Sequence, residues 1–314
     1  MDDLKVFTGN AHPELAKAIC DYLGIPLGQA EVFKYKNDNT FVKILENVRE
    51  RDIFVVQSLS RPVNDNLVEL LIMLDALKRA SAKRITAIVP YYAYSRSDKK
   101  DQARVPITAR LVADLITVAG ANRLLTVDLH APQIQGFFNI PVDELTALYL
   151  LSGYFSKKKL KDNVVVATDI GISKRARDMG ERLNSPLAII EKRRTGNADK
   201  TETLNIIGDV NKETAVIFDD EIDTGGSLVN AVDIVKQNGA KQVYFCATHP
   251  VFSEDAIERI AKSQVKEVVV ADTIPIPKEK RISKIKVLPI APLLGEAIHR
   301  IHTGLSVGAM FESE

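Results

Sequence analysis

Short apolar runs alternate with longer stretches in which apolar residues recur every three or four positions. In the first half, residues 52–57, 85–89 and 124–127 read as strands, with amphipathic helices at 66–80 and 107–118 between them. The second half repeats the scheme, with strands at 164–167, 187–190, 215–218 and 243–247 and helices at 174–183 and 228–238. The strand runs contain no Pro, and the strand–helix alternation is the mark of a parallel sheet covered by helices. An α/β chain of two similar domains is therefore expected.

The two halves also resemble each other in detail. The segment from Gly120 to His130 aligns without gaps on the segment from Gly239 to His249, and Thr86-Ala87-Ile88-Val89-Pro90-Tyr91-Tyr92 aligns on Thr214-Ala215-Val216-Ile217-Phe218-Asp219-Asp220. The first copy lacks the acids and the Gly-Gly turn of the second, so it is expected to have lost whatever they bind. The boundary falls within 146–153, giving domains of 1–147 and 148–314.

The chemistry is densest where the run at 215–218 ends. There Asp219, Asp220 and Asp223 precede Thr224, Gly225, Gly226 and Ser227, and a helical pattern follows. Glycines allow close approach of backbone N–H groups to a phosphate, the hydroxyls add donors, and a helix N-terminus favours an anion. The acids would repel a bare phosphate, but they suit sugar hydroxyls or a metal ion. A phosphorylated ribose satisfies both halves. An acid-capped surface turn would have the same composition, yet acids directly after a buried strand are costly without a purpose.

Composition narrows the setting. The chain has 314 residues, enough for two cores, and Lys+Arg of 42 against Asp+Glu of 41 leaves no basic surplus to attract nucleic acid or anionic membrane. Cys20 and Cys246 have no metal-ligand spacing, the N-terminus has no signal-like pattern, and no apolar run is long enough to span a bilayer. A cytoplasmic address is expected.

Two further clusters follow strand ends. Tyr94-Ser95-Arg96-Ser97-Asp98-Lys99-Lys100-Asp101-Gln102-Ala103-Arg104 is polar and unpatterned, and Glu191-Lys192-Arg193-Arg194 is a cationic run; charge runs of both kinds are usually solvated faces. Val127-Asp128-Leu129-His130 ends another strand, where a lone His is more often structural than ligating. Asp169 stands just after the strand at 164–167.

Together these segments resemble the class I ribose-phosphate pyrophosphokinases, in order and over most of the chain. The 214–228 segment also resembles the signature of type I phosphoribosyltransferases, which would need only the C-terminal site; a non-catalytic paralogue of the pyrophosphokinase is the other alternative. The resemblance implies two tandem phosphoribosyltransferase-like domains, each a mainly parallel sheet flanked by helices. It implies transfer of a diphosphoryl group from ATP to ribose 5-phosphate, with Mg²⁺ and a homo-oligomer, a hexamer in this family. On the ATP side it implies Tyr35, Asn37, Asp38 and Asn39 of an N-terminal hairpin, then Arg96, Ser97, Asp101 and His130. Asn39 stands where many members have Glu, and Ser97 where Gln is common. His130 and Asp169 match metal positions. Lys192 and Arg194 match the cations of a mobile catalytic loop, Arg194 also facing the sugar phosphate. Asp219, Asp220, Asp223 and the 224–227 turn match the ribose 5-phosphate site. Arg49, Ser81, Arg104 and Ser306 match a regulatory phosphate and ADP site, where Asn47 and Gly308 replace hydroxyl residues.

Overall fold

The computed structural model describes residues 3–195 and 201–311, with the side chains of 192–204 outside the described residues. The chain divides into two compact units: residues 1–146, 273–275 and 289–314, and residues 147–272 and 276–288.

The first unit opens with β1 (Leu4–Thr8) and α1 (Pro13–Leu23), followed by a hairpin of β2 (Ala30–Lys34) and β3 (Thr40–Ile44). It continues through β4 (Asp52–Val56), α2 (Val63–Arg79), β5 (Arg84–Val89), α3 (Thr108–Ala119), β6 (Arg123–Val127) and β7 (Val142–Leu145). The order β1-β4-β5-β6-β7 is parallel throughout. Leu70, Met73, Leu74 and Leu77 of α2 and Val112 and Ile116 of α3 share one core with Ile53, Val55, Ala87 and Leu124. These positions are those of the helical period read from the sequence.

The second unit contains α4 (Leu148–Lys158), β8 (Asn163–Ala167), α5 (Ser173–Leu183), β9 (Leu187–Thr195), β10 (Thr201–Ile207), β11 (Thr214–Ile222), α6 (Gly226–Gln237), β12 (Gln242–Pro250), α7 (Ala256–Lys262), β13 (Glu267–Ala271) and β14 (Ile285–Leu288). Its order is β10-β9-β8-β11-β12-β13-β14, parallel except for the antiparallel β9–β10 pair. β9 lies on one side of β8 and β11 on the other. Such a reversal of winding is where open α/β sheets bind ligands, outside the carboxyl ends of their strands.

The aligned halves occupy matching places. β5–α3–β6 and β11–α6–β12 are each a strand, a helix and a parallel neighbour; Gly120 caps α3 at φ 130°, and Gly239 follows the α6 cap Asn238 at φ 104°. The expected second range, 148–314, is shortened: residues 289–314 return to the first unit with α8 (Ala291–Thr303). The apolar face of α8 packs on α1, and its end is tied to two strand starts. The buried Asp52 carboxylate accepts from Arg84 Nε at 2.7 Å and lies 2.8 Å from His302 Nδ1, while Arg84 also donates to the Ile301 carbonyl at 2.9 Å.

Removing Asp52 leaves Arg84 and His302 facing each other without their shared carboxylate. Asp52→Ala is expected to cost roughly 1.5–3 kcal/mol of stability, the range for hydrogen bonds to charged groups. Lys262→Ala, which loses the exposed pair with Glu258, should stay within about 0.5 kcal/mol. Paired thermal melts check both, and equal shifts would remove the special weight given to Asp52.

Candidate active site

β11 is paired on both sides only as far as Phe218, because β8 ends opposite it at Ala167. β12 continues alongside, pairing Asp219 with Ala247, Glu221 with His249 and Ile222 with Pro250. The acids expected on a loop are thus strand residues as far as Ile222. Backbone pairing sustains a strand whatever its side chains, so a hydrophobic pattern marks only the part of β11 that both neighbours cover.

The backbone fixes the acids. Asp220 N–H donates to the Asp219 carboxylate at 2.9 Å, and Glu221 N–H to the Asp220 carboxylate at 3.0 Å. Asp219 keeps a small accessible face, but the protein packed round its carboxyl, and then the Asp220 charge, push its pKa well above the usual carboxylate range. The Thr168 hydroxyl, buried at the end of β8, favours the Asp219 anion from nearby without a hydrogen bond of normal geometry. Asp223 is held by the Ser253 hydroxyl, and Ser253 N–H donates to the Asp223 carbonyl at 3.1 Å.

The turn then reverses into a helix. Gly225 has φ 76°, a left-handed conformation that strains any residue bearing a Cβ, and a Cβ there would lie 3.4 Å from the Ala256 backbone. α6 starts at Gly226 with no side chain capping it and no acid in its first turn. Its first amides therefore lack both intrahelical and side-chain acceptors, and an anion supplies them. Ser227 is exposed and Thr224 half-exposed beside this end.

The cationic run lies in β9, which reaches Thr195 and does not end at residue 190. Lys192 is in register with Leu204, and Arg194 with Glu202, across the β9–β10 pair. A backbone ladder extends this strand beyond its apolar part as well. The side chains of Lys192 and Arg194 lie outside the described residues. Asp169 is exposed, and its carboxylate accepts the Ile172 N–H at 3.1 Å in the turn before α5.

In the first unit, the residues that the sequence resemblance assigns to ATP divide by what they touch. The Ser97 hydroxyl accepts the Thr108 N–H at 3.3 Å and meets the Thr108 hydroxyl at 3.3 Å, so it supports the first turn of α3. Arg96, Asp101 and His130 are exposed. In the hairpin, Asn37 accepts the Asn39 N–H at 3.3 Å, and Asp38, at φ 67°, pairs with Lys34 at 3.0 Å. Asn37 and Asp38 hold the turn itself, a use of Asn and Asp that competes with ligand contact. Tyr35 remains about half exposed and packs edge-on against Phe33 and Phe41, centroids 5.3 and 5.6 Å apart. Asn10 ties the hairpin to the unit, donating to the Val32 carbonyl at 3.2 Å and to Glu69 at 2.8 Å.

Of the positions assigned to regulation, Arg49 and Ser81 stand on adjoining turns, since Glu50 N–H donates to the Ser81 carbonyl at 3.0 Å. Ser306 accepts the Ala309 N–H at 3.3 Å, and Arg104 adopts φ 66° in the loop before α3. No hydrogen bond or ion pair among the described residues joins these two to the first pair.

Comparisons with known proteins place the chain in a family. Residues 4–120 match the model of the N-terminal domain of ribose phosphate pyrophosphokinase, and residues 195–312 that of the phosphoribosyl synthetase-associated domain. A ribose-phosphate pyrophosphokinase of Caldanaerobacter subterraneus subsp. tengcongensis is 55% identical over 311 residues, covering 99% of this chain and 98% of the relative. The chain belongs to the ribose-phosphate pyrophosphokinase family. One from Clostridium acetobutylicum is 52% identical over 314 residues. The crystal structure of phosphoribosylpyrophosphate synthetase from Mycobacterium smegmatis superposes with a TM-score of 0.92 at 44% identity, covering 96% of this chain and 99% of that one. Full-length likeness of this kind leaves no room for the single-site phosphoribosyltransferase alternative.

Two cysteines and a metal remain to be placed. Burial pushes the Cys20 thiol up to about 11 and Cys246 higher still, so both are protonated, inert core residues. Among the described residues, no three His, Cys, Asp or Glu side chains stand together to hold a metal, and no helix is long and apolar enough to cross a membrane. A separated carboxylate such as Asp169 suits Mg²⁺ that arrives on substrate phosphates, since this ion keeps most of its shell from water and phosphate oxygens. Sequence reasoning had no signal for Ser253 or for Arg259, whose Nη1 donates to the Thr224 carbonyl at 3.3 Å.

Because the folded-state pKa of Asp219 is raised, the fold disfavours its anion. Stability is undiminished below the unfolded value of 3.8 and is lost as pH rises from there through the folded value. Asp219→Asn cannot ionise, so its melting temperature minus that of the parent should grow between pH 4 and pH 8. A difference that stays flat across that range would show that the Asp219 anion is not disfavoured.

Proposed function

We propose that the chain makes phosphoribosyl pyrophosphate and AMP from ATP and ribose 5-phosphate, and that the strand-end acids and the 224–227 turn form its sugar site. The observation carrying this reading is the uncapped, acid-free first turn of α6 beside the carboxylates that close β11. Phosphate and sugar hydroxyls need these opposite chemistries side by side.

Asp219, Asp220 and Asp223 accept hydrogen bonds from ribose hydroxyls, and the amides of Gly226 and Ser227 with the Thr224 and Ser227 hydroxyls bind the 5-phosphate. The 1-hydroxyl oxygen forms a bond to the β-phosphorus of ATP in line, the bond from that phosphorus to the bridging oxygen breaks, and AMP leaves with the oxygen. A hemiacetal hydroxyl is more acidic than an ordinary alcohol, and its proton passes to solvent without a dedicated base. Holding two anionic substrates in one orientation supplies much of the rate. Bound Mg²⁺ neutralises triphosphate charge, and Asp169 and His130 are the residues that would touch it. Arg96 and Asp101 of the long loop, with Tyr35 of the hairpin, bind the nucleotide. Lys192 and Arg194 neutralise charge that develops on the transferring group. Arg49, Ser81, Arg104 and Ser306 serve a regulatory anion site in a homo-oligomer, a hexamer by family likeness.

The direct test is release of AMP by purified protein given Mg²⁺, ATP and ribose 5-phosphate; no AMP above background would refute the activity. Asp223→Ala should weaken ribose 5-phosphate binding without ATP about 10- to 100-fold, the worth of hydrogen bonds to a charged group. Calorimetry measures it, and unchanged affinity removes Asp223 from the sugar site.

Lys192→Ala and Arg194→Ala should each lower kcat on the order of 10²- to 10³-fold, and the double variant should lose less than the product, because both act on one group. Substrate binding should survive. Turnover unchanged in both single variants would make the run an ordinary solvated strand.

A further inference from the structure

We infer that Arg259 is a ligand of the sugar 5-phosphate and sets the preference for a phosphorylated over an unphosphorylated pentose. This rests on the reading that the 224–227 turn binds that phosphate. Residues 251–259 form the back wall of the turn. Phe252 N–H donates to the Ile222 carbonyl at 2.9 Å, Ser253 holds Asp223 from both backbone and side chain, and Ala256 lies in van der Waals reach of Gly225. Arg259 stands three positions after Ala256, one helical turn along the same face of α7. Its Nη1 donates to the Thr224 carbonyl at 3.3 Å and lies 3.5 Å from where a Cβ on Gly226 would stand. The guanidinium is therefore at the first turn of α6.

Charge gives the placement its function. A sugar phosphate entering this site approaches Asp223 and the Asp219–Asp220 pair, whose mutual repulsion already disfavours a second charge, and the helix end offers only about half an elementary charge against them. A guanidinium supplies a whole one. Arg has five N–H donors in a planar fork that matches phosphate oxygens, and the Thr224 carbonyl engages one of them. The side chain is exposed, so the remaining donors can turn to a ligand without first being drawn out of a buried pair. Nearby Lys262 differs: it pairs with Glu258 at 3.4 Å on its own helix. Gly226 leaves the space beside Nη1 free of a side chain. A residue that only capped the Thr224 carbonyl would need neither full charge nor exposure.

The full-length enzyme carrying Arg259→Met or Arg259→Lys tests this, with ribose 5-phosphate and ribose as paired probes in calorimetry and steady-state kinetics. Arg259→Met should weaken ribose 5-phosphate binding about 10- to 100-fold, the equivalent of one or two charge-assisted hydrogen bonds, and leave ribose binding unchanged. The KM for ATP and the kcat at saturating sugar should stay within about threefold, well under one tenfold step. Arg259→Lys, which keeps the charge and loses the fork, should recover part of the loss. Selectivity equal to the parent's in Arg259→Met overturns the inference, as does equal weakening for both sugars, which would mean that Arg259 only props the turn. Where Arg259→Met does not fold, Arg259→Lys decides: reduced selectivity supports the role and parental selectivity ends it. A parent enzyme that does not itself distinguish the two sugars overturns the turn assignment, a different result from a parent that discriminates and a variant that discriminates equally.

Discussion

Past Phe218, strand β11 loses one neighbour and keeps the other, and the proposed sugar site depends on that asymmetry. β8 stops at Ala167 while β12 continues to Pro250, so Asp219 to Ile222 stay in a hydrogen-bonded ladder with one edge open. A ladder positions carboxylates more firmly than a loop does, because β12 holds the backbone along one side. The open edge supplies room for a ligand. The switch of winding between β9 and β11 puts this edge where α/β sheets bind ligands.

The same arrangement is electrostatically expensive. Adjacent carboxyls with Asp219 largely enclosed disfavour ionisation, and the raised pKa of Asp219 records that cost. The end of α6, without a side-chain cap, is a further sacrifice of stability. A ligand that donates to the acids and accepts from the amides offsets part of these costs. Active sites commonly store such costs, and here they fall within nine consecutive residues, 219–227.

The first unit shows what the fold is without them. β5–α3–β6 repeats the arrangement of β11–α6–β12, yet Pro90, Tyr91 and Tyr92 stand where Asp219 and Asp220 follow Phe218, and Tyr92 is a buried core residue. Its polar residues gather in the long loop before α3, and the hairpin exposes the rings of Phe33 and Tyr35. Under the proposed assignment, two copies of one frame carry different ligand chemistry, since function resides in strand-end segments and not in the frame.

Hydrophobic periodicity determined the α/β class and the parallel sheets, because burial on both faces leaves a local record in each strand and helix, and the gapless alignment of the two halves added the doubling. The acids and the glycine and hydroxyl turn after a buried run were equally legible, since φ and donor chemistry belong to single residues. Only the tertiary structure decided where β9, β11 and β12 end, because a strand's polar continuation is held by a neighbour's backbone. It also decided that α8 rejoins the first unit through Asp52 and Arg84, and that Ser97 serves α3. Arg259 reaches Thr224 from 35 residues away. Contacts of that range leave no pattern in the chain, for they depend on which surfaces meet once both cores have formed.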